Sequence, residues 1–241
     1  MMTTTSSRRR FLASVGMAAT GLVIGGDAGA AAPPKETGLS SEGLLVGRAG
    51  FQPRTTMPLP HAELPGFLSK EQLASHHAEY VRLVERLHET ERALAAGTPD
   101  TQHYGELRRA QVEAANGVLL HELYFTGLGA TKIEPPRYVQ GHMREHMGAW
   151  EQWQEDFRQC ALAAKAWAVL VYDPYDDRWH NAVMDSDQGG VWVGANPLVV
   201  CDVSDHAFAK DYPRRKDYVA KFLDHVDWEE IARRYHAVDR M

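Results

Sequence analysis

A chain of 241 residues that is 44% hydrophobic and 24% charged has the composition of a folded protein, not of a disordered one. Its net charge of −6 excludes the basic face that phosphate contacts require, so nucleic acid is not an expected partner. Two cysteines, Cys160 and Cys201, are too few for a disulfide scaffold. Both sit in apolar surroundings, which fits buried thiols at least as well as a bridge.

The amino end reads as an export signal. Ser7-Arg8-Arg9-Arg10-Phe11-Leu12 precedes a weakly apolar segment, Ala13 to Ile24, and then the small residues from Ala28 to Ala32. Basic region, apolar region and A-x-A-like site in that order predict a cleaved segment over 1–32. Paired arginines before Phe-Leu fit the twin-arginine class, whose cargo is exported already folded. The apolar stretch is too short and too rich in Gly and Ala to be a stable membrane span. The expected location is the periplasm or the extracellular side. Cleavage after residue 30 would remove three arginines and Asp27, leaving a net charge of −8.

Residues 33–66, rich in Gly, Pro and Ser, predict an extended arm. A helix start follows at Ser69, with Glu71 in its first turn. Leu73, His76 or His77, Tyr80, Val84 and Leu87 recur at spacings of three and four, which places a histidine and Tyr80 on the buried stripe. Gly97-Thr98-Pro99-Asp100 breaks the chain. A second helix carries Leu107, Ala114, Val118, His121 and Phe125 on one face and ends at Gly127. Two helices joined by a short break predict an antiparallel hairpin over 67–134.

After Pro135-Pro136 the pattern changes. A helix is expected from about Tyr138 to Ala164, then strands at Trp167–Tyr172 and Trp179–Met184. A third, β-branched strand runs from Pro197 into Asp202. Helices close the chain. The expected class is α+β: a helical-hairpin domain, then an α/β domain over 135–241 with a short antiparallel sheet.

The third strand ends on a carboxylate with His206 four residues later. A buried Asp is costly unless its charge is compensated, and a metal ion compensates it well. Nitrogen and oxygen donors without thiolate suit iron, manganese or zinc. A rival pattern, His142-Met143-Arg144-Glu145-His146, spells H-x-x-E-H, the inverted helix motif of zinc hydrolases.

Asp202-Val203-Ser204-Asp205-His206-Ala207-Phe208 resembles the D-V-W-E-H-A-Y signature of iron/manganese superoxide dismutases. Leu120-His121-Glu122-Leu123-Tyr124-Phe125, Gly148-Ala149-Trp150-Glu151, Tyr212-Pro213-Arg214-Arg215 and Val226-Asp227-Trp228-Glu229 resemble further segments of that family, in the same order. The resemblance spans about residues 68–235. It implies superoxide as substrate, one Fe or Mn ion per subunit, and a homodimer or homotetramer. It also implies His121, Asp202 and His206 as ligands, with His76 as the fourth. Two registers of the first helix remain open: one makes His76 the ligand, the other makes Tyr80 the family's gateway tyrosine and puts Gln72 at the ligand position. Tyr80 and Gln188 are the implied catalytic partners of the metal-bound solvent, with Gly117 as the small residue opposite Gln188. Arg214 and Arg215 are candidates for drawing in the anion. Ser204, Asp205, Phe208 and Ala209 depart from the family pattern, which leaves a weakly active metal-binding relative as the alternative.

Overall fold

The computed structural model describes residues 54–239. The predicted signal, residues 1–32, and most of the predicted arm therefore lie outside the described residues. From Arg54 to Glu63 the chain has neither helix nor strand.

Helix α1 (Lys70–Ala96) begins where Ser69 Oγ accepts the Gln72 backbone N–H at 3.1 Å, and ends at Gly97, whose φ of 76° suits a residue without a Cβ. Helix α2 (Thr101–Thr126) is capped by Asp100 and returns antiparallel to α1 as the hairpin expected from sequence. Its last half is buried nearly all round, from Ala114 to Phe125, because β3 packs on it as well as α1.

The single helix expected from Tyr138 to Ala164 is two: α3 (Arg137–Met147) and α4 (Trp150–Ala163). Gly148 breaks it by taking a φ of 89°, and the Gln152 side chain accepts the Ala149 N–H at 2.9 Å to start the second helix. Strands β1 (Trp167–Asp173), β2 (Arg178–Met184) and β3 (Asn196–Asp202) form an antiparallel sheet in the order β2-β1-β3. Central β1 is buried at every residue, so its Trp-Ala-Val-Leu-Val-Tyr run shows no alternation. Between β2 and β3, Gly190 holds a φ of 122°; a Cβ there would collide with the Val183 carbonyl. Short α5 (Asp205–Phe208), α6 (Arg215–Phe222) and α7 (Trp228–Asp239) complete the α+β architecture. Both thiols are free: Cys201 is buried and Cys160 partly buried.

The register that matters most pairs Trp167 with Asp202 at the end of β1 and β3. It sets the last residue of β3 beside the buried half of α2.

Candidate metal centre

Four side chains from four elements meet at Asp202. His76 Nε2 of α1 and His206 Nε2 of α5 each lie 3.0 Å from Asp202 Oδ2, and His121 Nε2 of α2 lies 3.8 Å from it. One donor atom from each residue falls within 4.8 Å of every other. Asp202 is wholly buried, and its second oxygen accepts the Ser204 N–H at 2.8 Å. That turn carries the chain from β3 into α5 and brings His206 back over the carboxylate. Only His206 is open to solvent, with 37% of its side chain exposed.

Protonation is legible from the partners. His121 Nδ1 lies 2.7 Å from the Gly117 carbonyl, which can only accept, so the ring proton is on Nδ1 and Nε2 is bare. Burial, then the neighbouring His76, pushes the His121 pKa down to about 3, keeping the ring neutral at pH 7. Its Nε2 is buried and has no hydrogen-bond partner. A lone pair therefore faces an anionic carboxylate oxygen, an arrangement that a cation between them makes favourable. Burial alone would raise Asp202, but hydrogen bonds from His206 and His76 outweigh it and hold the carboxyl well below its ordinary range. Three imidazoles and one carboxylate fit iron or manganese by donor type.

The other sequence candidates are placed as follows. His77 Nε2 donates to the Met57 carbonyl at 2.6 Å, away from the cluster. Gln72, one turn before His76, donates to the His206 carbonyl at 2.7 Å and accepts the Lys210 N–H at 2.9 Å, so it clamps the α5 turn. Tyr80 is fully buried, but its hydroxyl donates to Glu122 at 2.9 Å and accepts the Met57 N–H at 2.8 Å. Glu122 in turn pairs with Arg54. These contacts tie residues 54–57 across the hairpin. Burial pushes the Tyr80 pKa well above its ordinary value.

Gln188 is not brought to the cluster. It is exposed, and its amide donates to Glu113 at 2.9 Å. The preceding residue, Asp187, is the one that faces Gly117, and Trp167 Nε1 donates to its carboxylate at 2.7 Å. Arg214 pairs with Asp217, and Arg215 donates to the Ala164 carbonyl at 2.6 Å. Phe208 stacks on Tyr218, with ring centroids 5.3 Å apart.

The carboxyl-terminal portion, residues 135–234, matches the family model for the C-terminal domain of iron/manganese superoxide dismutases. Superoxide dismutase [Mn] 2 of Haloferax volcanii is 32% identical over 186 residues, covering 74% of this chain and 92% of that protein. The chain belongs to the iron/manganese superoxide dismutase family. Superoxide dismutase [Mn] of Haloarcula marismortui is 31% identical, over 74% of this chain and 91% of its own. Superoxide dismutase [Fe] of Aquifex aeolicus is 29% identical, over 70% of this chain and 84% of its own. Both metals thus occur among the names of its relatives.

The inverted zinc motif fares differently. His142, Glu145 and His146 are near one another on α3. Yet the Trp179 backbone N–H donates to His146 Nδ1 at 3.1 Å, which puts the ring proton on Nε2 and leaves no free lone pair for an ion. His142 stacks on Trp179. Replacing His142 with alanine should leave the metal content of the purified protein at the parent level, measured by elemental analysis; loss of a stoichiometric metal would reinstate the hydrolase motif.

Proposed function

We propose that this chain dismutes superoxide to dioxygen and hydrogen peroxide, with one iron or manganese ion per subunit held by His76, His121, Asp202 and His206. The observation that carries this reading is the bare, buried His121 Nε2 facing Asp202 Oδ2 at 3.8 Å, inside a cluster completed by two further imidazoles. When bound, iron or manganese would supply a one-electron couple, M(III)/M(II), suited to oxidising one superoxide and reducing another. The chain's own residues set the terms of that chemistry. Asp202 offsets one unit of metal charge. The Gly117 carbonyl fixes the His121 tautomer, and Gln72 holds the backbone of His206. The exposed edge of His206 is the proposed approach to the cluster for small anions and solvent.

Metal content and superoxide-dismutation rate measured on one purified sample test the reading. Iron or manganese approaching one per chain, with a rate that scales with occupancy, supports it. A full complement of either metal without dismutation would support a metal-binding relative instead.

We further propose an oligomeric enzyme, as the family resemblance implies, exported by the twin-arginine route. Support for export comes from the order of Arg8-Arg9-Arg10, the apolar segment and the small residues before Pro33, all outside the described residues. Changing Arg8 and Arg9 to lysine should strand the precursor in the cytoplasm, as seen by fractionation and blotting. Normal delivery of mature protein would refute the twin-arginine reading.

A further inference from the structure

Residues 54–57 precede the first helix in a stretch with neither helix nor strand, yet four polar contacts fasten them to the hairpin of α1 and α2. The Arg54 backbone N–H donates to His88 Nε2 at 3.0 Å, and its guanidinium pairs with Glu122. The Met57 N–H donates to the Tyr80 hydroxyl at 2.8 Å, and the Met57 carbonyl accepts His77 Nε2 at 2.6 Å. Met57 also packs its side chain against the core. These partners adjoin the metal ligands. His77 follows His76 on α1, and Glu122 follows His121 on α2. Tyr80, one turn beyond His76, donates its hydroxyl to Glu122 at 2.9 Å and so ties α1 to α2. Its ring lies 6.4 Å from that of His121, centroid to centroid. Glu122 is fully buried. Among the described residues, no Lys, Arg or His nitrogen outside Arg54 lies within 4.0 Å of its carboxylate.

A buried carboxylate stripped of its cation is strongly destabilising. When residues 54–57 leave the hairpin, Glu122 loses Arg54, and Tyr80 and His77 each lose a backbone partner. The helices then have to shift to bring water to Glu122, and His121 is its immediate neighbour on α2. We propose that residues 54–57 are a latch on the metal centre. Docked, they hold α1 and α2 at the separation that lets His76 and His121 share one ion, and so slow its loss. The inference rests on the proposed function above, because it presupposes an ion at Asp202. Coupling of this kind is reciprocal: a segment that favours the bound ion is itself held more firmly when the ion is present.

The experiment uses the full protein loaded with manganese. Backbone hydrogen exchange at residues 54–57 is followed by mass spectrometry before and after the metal is removed. The Arg54 and Met57 amides, which donate to His88 and Tyr80, report docking directly. Removing the metal should speed their exchange on the order of tenfold, beyond any change in α4, which supplies no ligand. In parallel, the parent and Arg54→Met are compared in their rate of metal release to excess EDTA. Arg54→Met should release manganese roughly ten- to a hundredfold faster. Arg54→Lys, which keeps a cation for Glu122, should stay closer to the parent. Arg86→Met, which removes an exposed partner of Glu113 on the same hairpin, should match the parent. Exchange at residues 54–57 that is indifferent to the metal would overturn the proposal, and that measurement stands even where Arg54→Met fails to fold. An unchanged release rate in a folded Arg54→Met would overturn it too, as would equal acceleration in Arg86→Met. A parent that retains no iron or manganese would refute the metal centre itself, and the latch with it.

Discussion

Replacing His121 with alanine should abolish stoichiometric iron or manganese binding and reduce dismutation to background. His121 is one of the four proposed donors, and its buried Nε2 faces the carboxylate without a hydrogen-bond partner. Loss of an outer hydrogen-bond partner of a ligand typically weakens metal binding by roughly ten- to a hundredfold, and loss of a donor should exceed that. Asp202→Ala should have the same effect for a different reason. It removes the only anionic donor and leaves three imidazoles to hold a multivalent cation. His76→Ala belongs in the same series and tests the register of the first helix; Gln72→Ala, by contrast, should loosen the α5 turn without removing a donor. Elemental analysis and activity on the same samples decide the matter. Full metal and rate in His121→Ala would remove the centre described here.

The second large effect concerns stability. Arg234 of α7 is buried to 3% exposure of its side chain and pairs with Glu230 at 3.0 Å. It also donates to the Leu198 carbonyl at 2.6 Å, the Leu123 carbonyl at 2.8 Å and Thr126 Oγ1 at 2.8 Å. One guanidinium thus joins the beginning of β3 to the last turn of α2, the two elements that carry Asp202 and His121. Arg234→Met keeps the length of the side chain but leaves two buried carbonyls and Glu230 Oε1 without their donor, with Arg233 still paired to Glu230 Oε2. Breaking a buried ion pair from one side costs ~3–5 kcal/mol. For a domain of this size that corresponds to a fall in Tm of roughly 6–20 °C. Thermal unfolding of the metal-stripped parent and variant measures it without the contribution of bound metal. A loss below about 1 kcal/mol would show that the network contributes little beyond filling space.

Much of the fold follows from periodicity along the chain. The spacing of Leu73, Tyr80, Val84 and Leu87 assigns α1 a buried face, and the same 3.6-residue repeat turns His121 inward on α2. The β-branched run into Asp202 and the histidine four residues on were legible as a strand end followed by a turn. These signals are local: each requires only that an element bury one side of itself. The motif order from residue 120 onward points to the family before any coordinate is considered.

Tertiary structure decided which atoms meet. His76 and His77 both border the buried stripe, and their angular separation of about 100° leaves either within reach of a core. Only the arrival of β3 and α5 shows that His76 meets Asp202 while Met57 takes His77. Tyr80 was legible as buried, but not as a partner of Glu122 and Met57, because the segment it binds has no periodic pattern. The helix break at Gly148 leaves no mark in the periodicity, because glycine alone does not announce a positive φ. Gln188 and Asp187 exchange places for the same kind of reason. They sit in an aperiodic loop, where a shift of one residue alters no hydrophobic pattern, and the Trp167 N–H selects the carboxylate rather than the amide. Sequence determines which side of an element faces inward; the packing of α1, α2, β3 and α5 against one another determines which side chains cluster at Asp202.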